Sequence, residues 1–250
     1  MKLGGVLAPE ALRHFGPACS SDVRQQNAAP KPIQERTTYE KAFVQVMNLW
    51  TRSALVRQFV FGKRLARIAA ELMQVRGVRL YHDQALFKEA GGGHTPWHAD
   101  QYYWPLASDR CCTVWIPLQD TPLEMGPVAF ASGSQRLEIG RDLGISDESE
   151  AAVAAALERE RLPTFEKPFR LGEVSFHSGW TFHRARPNLT ERCREAMTII
   201  YMDVDMRLEA PVNPNQVADL QTWCPGALVG ERIETPLNPV LYETGGIATS

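Results

Sequence analysis

The chain has 250 residues, of which 27 are basic and 29 acidic, and a formal net charge of −2. That balance leaves no basic footprint for nucleic acid, and the longest apolar runs fall short of a membrane span. Five cysteines, an odd number without any C-x-x-C spacing, and an N-terminus lacking a signal peptide's apolar stretch suit reduced thiols in a cytoplasmic protein.

This length suits one domain over 1–250, with a helical buttress over about 39–76, a β-rich core over about 77–205 and a C-terminal extension over about 206–250. Residues 20–38, with Ser20-Ser21-Asp22 and Pro30-Lys31-Pro32, read as a polar loop. From Tyr39 to about Gln74 the apolar positions recur at helical spacing: Phe43, Val46, Met47 and Trp50, then Leu55, Val56, Phe59 and Val60, then Leu65, Ile68, Ala69, Leu72 and Met73. Ser53 is placed to cap a new helix after the break near Thr51-Arg52. Beyond Gly77 the texture changes to short apolar runs punctuated by Gly, Pro and Asp. Strands are expected over 78–87, 111–118, 128–131, 165–170, 174–177, 181–185 and 194–204, which predicts a sandwich or barrel. Between them Ser146-Asp147-Glu148-Ser149-Glu150 opens an alanine-rich helix to about Arg161, with acidic residues in its first turn. Such an insertion is placed to cover the mouth of a barrel.

Two histidine segments carry the chemistry. In the first, His94-Thr95-Pro96-Trp97-His98-Ala99-Asp100, His98 and Asp100 form an H-x-D pair whose side chains share one face of an extended backbone. The second, Phe182-His183-Arg184-Ala185-Arg186-Pro187-Asn188, offers His183 as a third ligand, with His177 and His94 as competitors. Two imidazoles and one carboxylate on one side of a metal is the facial arrangement of non-haem Fe(II) oxygenases. A zinc-type H-x-x-x-H helix through His94 and His98 is opposed by Pro96 and the preceding glycines. Taken singly, each histidine also reads as a satisfied polar core residue.

The combination of motifs resembles the phytanoyl-CoA dioxygenase family. The resemblance runs from about Tyr39 to Tyr201. It rests on Gly91-Gly92-Gly93 followed by Trp97-His98-Ala99-Asp100-Gln101, on Met125-Gly126-Pro127-Val128-Ala129-Phe130-Ala131-Ser132-Gly133-Ser134, and on Gly172-Glu173-Val174-Ser175-Phe176. It continues in His183, Pro187-Asn188, and Arg194 eleven residues after His183. Two departures are visible: Gln135 where relatives often have histidine, and Ala185 where they often have serine. Thr198 is a possible substitute for that lost hydroxyl.

The resemblance implies a mainly β protein with flanking helices around a double-stranded β-helix, the cupin-like jelly roll, holding Fe(II) and 2-oxoglutarate and using O2. His98, Asp100 and His183 would then hold the metal. Arg194 would clamp the far carboxylate of 2-oxoglutarate, for which a guanidinium fork is well shaped; Arg184, Arg186 and Arg192 are its rivals on sequence alone. Trp115, Thr113, Gln84 and Lys88 are further candidates for the co-substrate. Asp100 disfavours halogenation, since halogenating relatives replace the carboxylate with a small residue. The implied reaction is oxidation of an unactivated C–H in a small organic metabolite, by hydroxylation, ring closure, desaturation or epimerisation. Tyr102, Tyr103, Trp104, Trp180 and Phe182 suggest an apolar or ring-containing substrate, such as a secondary metabolite. Two other readings compete: a metal-dependent cupin-type enzyme that does not use 2-oxoglutarate, and a non-catalytic jelly-roll binding protein. A monomer or a homodimer is expected.

Overall fold

In the computed structural model, which describes residues 1–26, 31 and 35–244, the chain opens with β1 (Lys2–Leu3) and α1 (Pro9–Gln26). Next come α2 (Thr38–Ala42), β2 (Val44–Met47), α3 (Ala54–Val60), α4 (Lys63–Met73) and the long strand β3 (Gly77–Lys88). β4 (Thr95–His98), β5 (Cys111–Pro117), β6 (Val128–Ala131), α5 (Asp147–Arg159) and β7 (Thr164–Phe165) follow. β8 (Val174–Ser178), β9 (His183–Ala185) and β10 (Arg194–Asp203) complete the core, and α6 (Pro214–Trp223) and β11 (Val240–Glu243) form the C-terminal part.

The strands form two antiparallel sheets. The larger runs β1-β8-β5-β10-β3-β11, with β2 also paired to β3; the smaller runs β4-β9-β6-β7. This is the jelly-roll core that the family resemblance implies, and one of the sandwich or barrel forms that the strand pattern predicts. Side chains alternate along each strand of the large sheet. On β10, Met197, Ile199 and Tyr201 join the apolar core shared with α1, α3 and α4, while Arg194 and Thr198 point the other way, into an interior cleft.

The helices pack on the outer face of the large sheet because their apolar residues fall on one stripe. In α1 these are Leu12, Phe15, Cys19 and Val23, all buried, with Phe15 stacked on Phe59 at 4.2 Å. In α4 they are Leu65, Ala66, Ala69 and Ala70. Ser53 caps α3 by accepting from the Val56 backbone N–H at 3.4 Å, as its position implies. No helix among the described residues is long and apolar enough to cross a membrane.

Four local readings change. Residues 44–47 are a strand rather than helix: Phe43 is extended, and Val44 to Met47 pair with the edge of β3, Val44 opposite Phe87. The polar segment 20–38 begins as the last turns of α1; residues 27–30 and 32–34 lie outside the described residues. The expected strand 165–170 shortens to β7, and Phe169 makes only a bridge to Thr121; Pro168, without an N–H, cannot continue a ladder there. Helix α5, capped by Ser146, does not cover the mouth. Val153 and Leu157 bury against Trp97 and Phe182, so it backs the small sheet instead.

Candidate active site

The two histidines are brought together by strand pairing. His98 ends β4 directly opposite His183, which begins β9, and their rings lie 4.1 Å apart. Asp100 follows through Ala99, whose extended backbone (φ −119°, ψ 130°) keeps both side chains on one face before a 3-10 turn starts. The ligand-capable atoms of His98, Asp100 and His183 all lie within 4.8 Å of one another.

Hydrogen bonds aim each of these groups. His98 Nδ1 donates to the Pro96 carbonyl at 2.7 Å and His183 Nδ1 to the Thr181 carbonyl at 3.0 Å. A carbonyl on Nδ1 keeps the proton there and leaves the Nε2 lone pair free for a metal. Both Nε2 atoms face one oxygen of Asp100, Oδ1, at 3.8 and 3.6 Å. Its other oxygen, Oδ2, accepts from Thr113 Oγ1 at 3.1 Å and lies 3.4 Å from His177 Nε2. The carboxylate is thus divided, with one oxygen held by the protein and one turned toward the histidines.

Burial pushes the His98 and His177 imidazoles down, to about 3 and about 4, so both are neutral near pH 7. Burial alone would raise the Asp100 carboxyl, but the surrounding His183, His177 and His98 outweigh it and hold the group well below the usual carboxylate range. The Nε2 atoms of His98 and His183, left free by their Nδ1 bonds, and an ionised Asp100 carboxylate are the donor set that a divalent iron takes, so the residues fit that metal. His177 sits against the outer oxygen of Asp100, beyond the three clustered ligand atoms, and His94 is exposed.

Strand register stacks the remaining candidates in rows across the large sheet. His82, Ile200, Thr113 and His177 form one row, and Gln84, Thr198, Trp115 and Ser175 the next. Lys88 and Arg194 pair two strand repeats further along. The rows border a cleft with about 920 Å³ of empty space that reaches from the histidines to Arg194.

Arg194 is 3 % exposed, and among the described residues its guanidinium donates only to the Gly126 and Leu86 carbonyls, at 3.0 and 3.3 Å. Its Nε has no partner, and no acidic side chain among the described residues pairs with it. Burial lowers its pKa to about 10. A buried cation without a counterion is strongly unfavourable, and the far carboxylate of 2-oxoglutarate has the charge and shape to relieve it. The rival arginines are engaged or exposed. Arg184 pairs with Glu150 at 3.0 Å, Arg186 with Glu166 at 2.8 Å, and Arg192 lies at the surface.

The other candidates divide. Trp115 lines the cleft 5.6 Å from the Arg194 guanidinium and packs edge-on against Phe169. Gln84 also lines it, and Thr198 Oγ1 is buried there without a partner. Thr113 is turned to Asp100. Lys88, pushed down to about 6 by burial and then by the charge of Arg194, donates to the Gly93 carbonyl and to Thr95 Oγ1. Among the entrance aromatics, Tyr103 and Trp104 line the cleft. Phe182 is buried beneath α5, and Trp180 lies under the Arg141 guanidinium at 4.7 Å. Phe43, Met47, Ile145 and Asp219 also line the cleft; none belongs to a motif, and only the fold brings them there.

No curated protein matches this sequence. Solved structures do resemble it in fold. The non-haem alpha-ketoglutarate dependent carbocyclase SnoK from nogalamycin biosynthesis is 24% identical, with a TM-score of 0.77 over 96% of this chain and 90% of its own. The epimerase SnoN, solved with Fe3+, alpha-ketoglutarate and a nogalamycin compound, is 24% identical with a TM-score of 0.75, covering 97% and 93%. EctD from S. alaskensis, solved with 2-oxoglutarate and 5-hydroxyectoine, is 18% identical with a TM-score of 0.73, covering 95% and 81%. The phytanoyl-CoA dioxygenase family model matches residues 4–196, a span that includes His98, Asp100, His183 and Arg194. The chain belongs to the phytanoyl-CoA dioxygenase family.

Proposed function

We propose that this protein is an Fe(II)/2-oxoglutarate-dependent oxygenase in which His98, Asp100 and His183 hold the metal and Arg194 clamps the co-substrate's far carboxylate. The buried, acid-free Arg194 guanidinium at the far end of the cleft carries this reading. A metal enzyme without 2-oxoglutarate needs no such buried cation, and a binding module has no chemical reason to keep the complete set of His98, Asp100 and His183.

When bound, iron, 2-oxoglutarate and O2 supply the oxidising power: one oxygen atom ends in succinate as CO2 leaves, and the other enters the C–H bond to give an alcohol. The chain's own residues set the conditions. Thr113 holds Oδ2 of Asp100, with His177 Nε2 3.4 Å from the same oxygen, so that Oδ1 is the oxygen Asp100 would offer to the metal. Trp115 walls the co-substrate channel, with Gln84 and Thr198 as polar contacts along it, while Lys88 behind Arg194 braces the Gly93 carbonyl and Thr95. Tyr103, Trp104, Phe43 and Met47 form an aromatic and apolar mouth, which suits a small ring-containing metabolite. The carbocyclase and epimerase in nogalamycin biosynthesis, similar in fold, favour secondary metabolism and admit ring closure or epimerisation as outcomes beside hydroxylation.

Aerobic incubation with Fe(II) and 2-oxoglutarate tests the reading. Succinate should form, slowly without the primary substrate, and no succinate should form with His98→Ala or His183→Ala. An iron-loaded wild-type protein that never consumes 2-oxoglutarate would contradict it.

A further inference from the structure

Two polar groups lining the same cleft serve neither the proposed metal ligands nor the carboxylate anchor. His82, on β3, is 1 % exposed, and its Nε2 has no hydrogen-bond partner. Its tautomer is set from behind. Gln45 Nε2 donates to Gln84 Oε1 at 2.9 Å, and Gln84 Nε2 in turn faces His82 Nδ1 at 3.5 Å. An imidazole that accepts at Nδ1 carries its proton on Nε2, so the ring presents an unsatisfied N–H. Leaving such a donor unmade in a buried place is costly. Burial, opposed only by Asp100, lowers the ring's pKa to about 3, so it is a neutral donor.

The second group is Asp219 on α6. Its Oδ2 accepts from the Tyr81 hydroxyl, and burial raises its pKa to about 7. Aromatic rings surround His82: Tyr81 at 4.9 Å, Trp223 at 5.7 Å and Trp104 edge-on at 6.1 Å. His82 and Asp219 both line the cleft that holds His98, Asp100 and His183.

We propose that His82 and Asp219 form a hydrogen-bonding subsite for a neutral oxygen substituent, foremost a ring ketone, on a fused-ring substrate. The subsite deepens the oxygenase reading above and rests on it. Its chemistry excludes anions: His82 offers a neutral N–H and no fixed cation, and burying an unpaired negative charge beside Asp219 would be strongly unfavourable. The His82 N–H requires an acceptor, and Trp104, the flanking ring that also lines the cleft, favours an apolar ring beside it.

The test uses the full-length protein loaded with Fe(II) and 2-oxoglutarate under anaerobic conditions, with tetralin and 1-tetralone as probes in equilibrium dialysis. The two share one skeleton and differ by the ketone. Hydrophobicity alone favours tetralin, so the subsite predicts the reverse order, with 1-tetralone bound roughly 3- to 10-fold more tightly. His82→Phe should abolish that preference without changing 2-oxoglutarate affinity, read from the visible charge-transfer band of the iron complex. His82→Gln, which keeps an N–H near the same place, should restore part of it. Asp219→Ala, on a half-buried helix position, should lessen the preference and carries the test if His82→Phe does not fold. Tighter tetralin binding, no binding of either probe, or an unchanged preference in the variants would overturn the subsite. So would loss of 2-oxoglutarate affinity in His82→Phe, which would assign the ring to the co-substrate. Absence of the charge-transfer band in the wild-type protein would instead contradict the oxygenase reading itself.

Discussion

Asp100 shows how single atoms set the chemistry of this site. One carboxylate oxygen faces the Nε2 atoms of His98 and His183, and the other accepts from Thr113 with His177 3.4 Å away. His98→Ala or His183→Ala should therefore abolish iron binding, measured by metal analysis after gel filtration, while circular dichroism stays native because the core is apolar. His177→Ala should retain iron, since it removes a partner of Oδ2 only; loss of iron there would move His177 into the ligand set. Arg194→Ala should raise the apparent Michaelis constant for 2-oxoglutarate at least about 30-fold, as expected for breaking a buried charge pair, with iron still bound. Arg194→Lys should recover part of this, because an ammonium cannot match the guanidinium fork. Arg186→Ala and Arg192→Ala should change it little, and the opposite pattern would misplace the anchor. That His98, Asp100, His183 and Arg194 share one cleft was legible in the sequence because they stand in short motifs with fixed offsets. Thr113 was legible only as a candidate for the co-substrate, since its bond to Asp100 depends on where the turn after β4 leads. Asp219 was invisible: it lies 119 residues beyond Asp100 with no motif around it.

Among the elements, the two sheets hold the site differently. The large sheet is broad and backed by three helices, whereas the histidines sit on the short strands β4 and β9 of the small sheet. α5 supports that weaker side. Its Glu150 accepts from the Trp97 backbone N–H at 2.7 Å and from Arg184 at 3.0 Å, tying the helix to both histidine strands. Glu150→Ala should loosen this tie by about 1–3 kcal/mol, the range for a hydrogen bond to a charged group. Faster amide exchange over residues 95–98 and 147–159 and weaker iron binding are the expected results. Unchanged exchange over 95–98 would show that α5 does not restrain the site. The long strands and α5 were readable because their apolar patterns extend over many residues. β2 was misread because four residues with Val44, Val46 and Met47 fit either period, and only the open edge of β3 decides between them. β4 contains Pro96 and follows three glycines, signals that ordinarily argue against a strand.

At the scale of the molecule, the jelly roll turns two distant motifs into one cleft, with His98 and His183 on the small sheet, Asp100 just after it, and a cation at the end of the large one. The C-terminal part has a structural share in this. Met206, Leu208, Cys224 and Ile233 bury against Tyr81, Trp104, Ile200 and Met202, closing an end of the barrel, and α6 brings Asp219 to the cleft. Truncation after residue 205 should expose that cluster and yield a protein that aggregates or unfolds without cooperativity, read by denaturant titration; a soluble, cooperatively folding truncation would contradict the packing. The β-rich class and the core were legible from pattern, but the closing role of the C-terminal segment was not, because its apolar residues are sparse and irregularly spaced. The central claim is that one cleft binds Fe(II) through His98, Asp100 and His183 and 2-oxoglutarate through Arg194. Anaerobic titration of Fe(II) and 2-oxoglutarate into the protein tests it most directly. A weak visible metal-to-ligand charge-transfer band should appear with wild type, be absent in His98→Ala, and require far more 2-oxoglutarate in Arg194→Ala. No band with wild type, or an undiminished band in both variants, would contradict it.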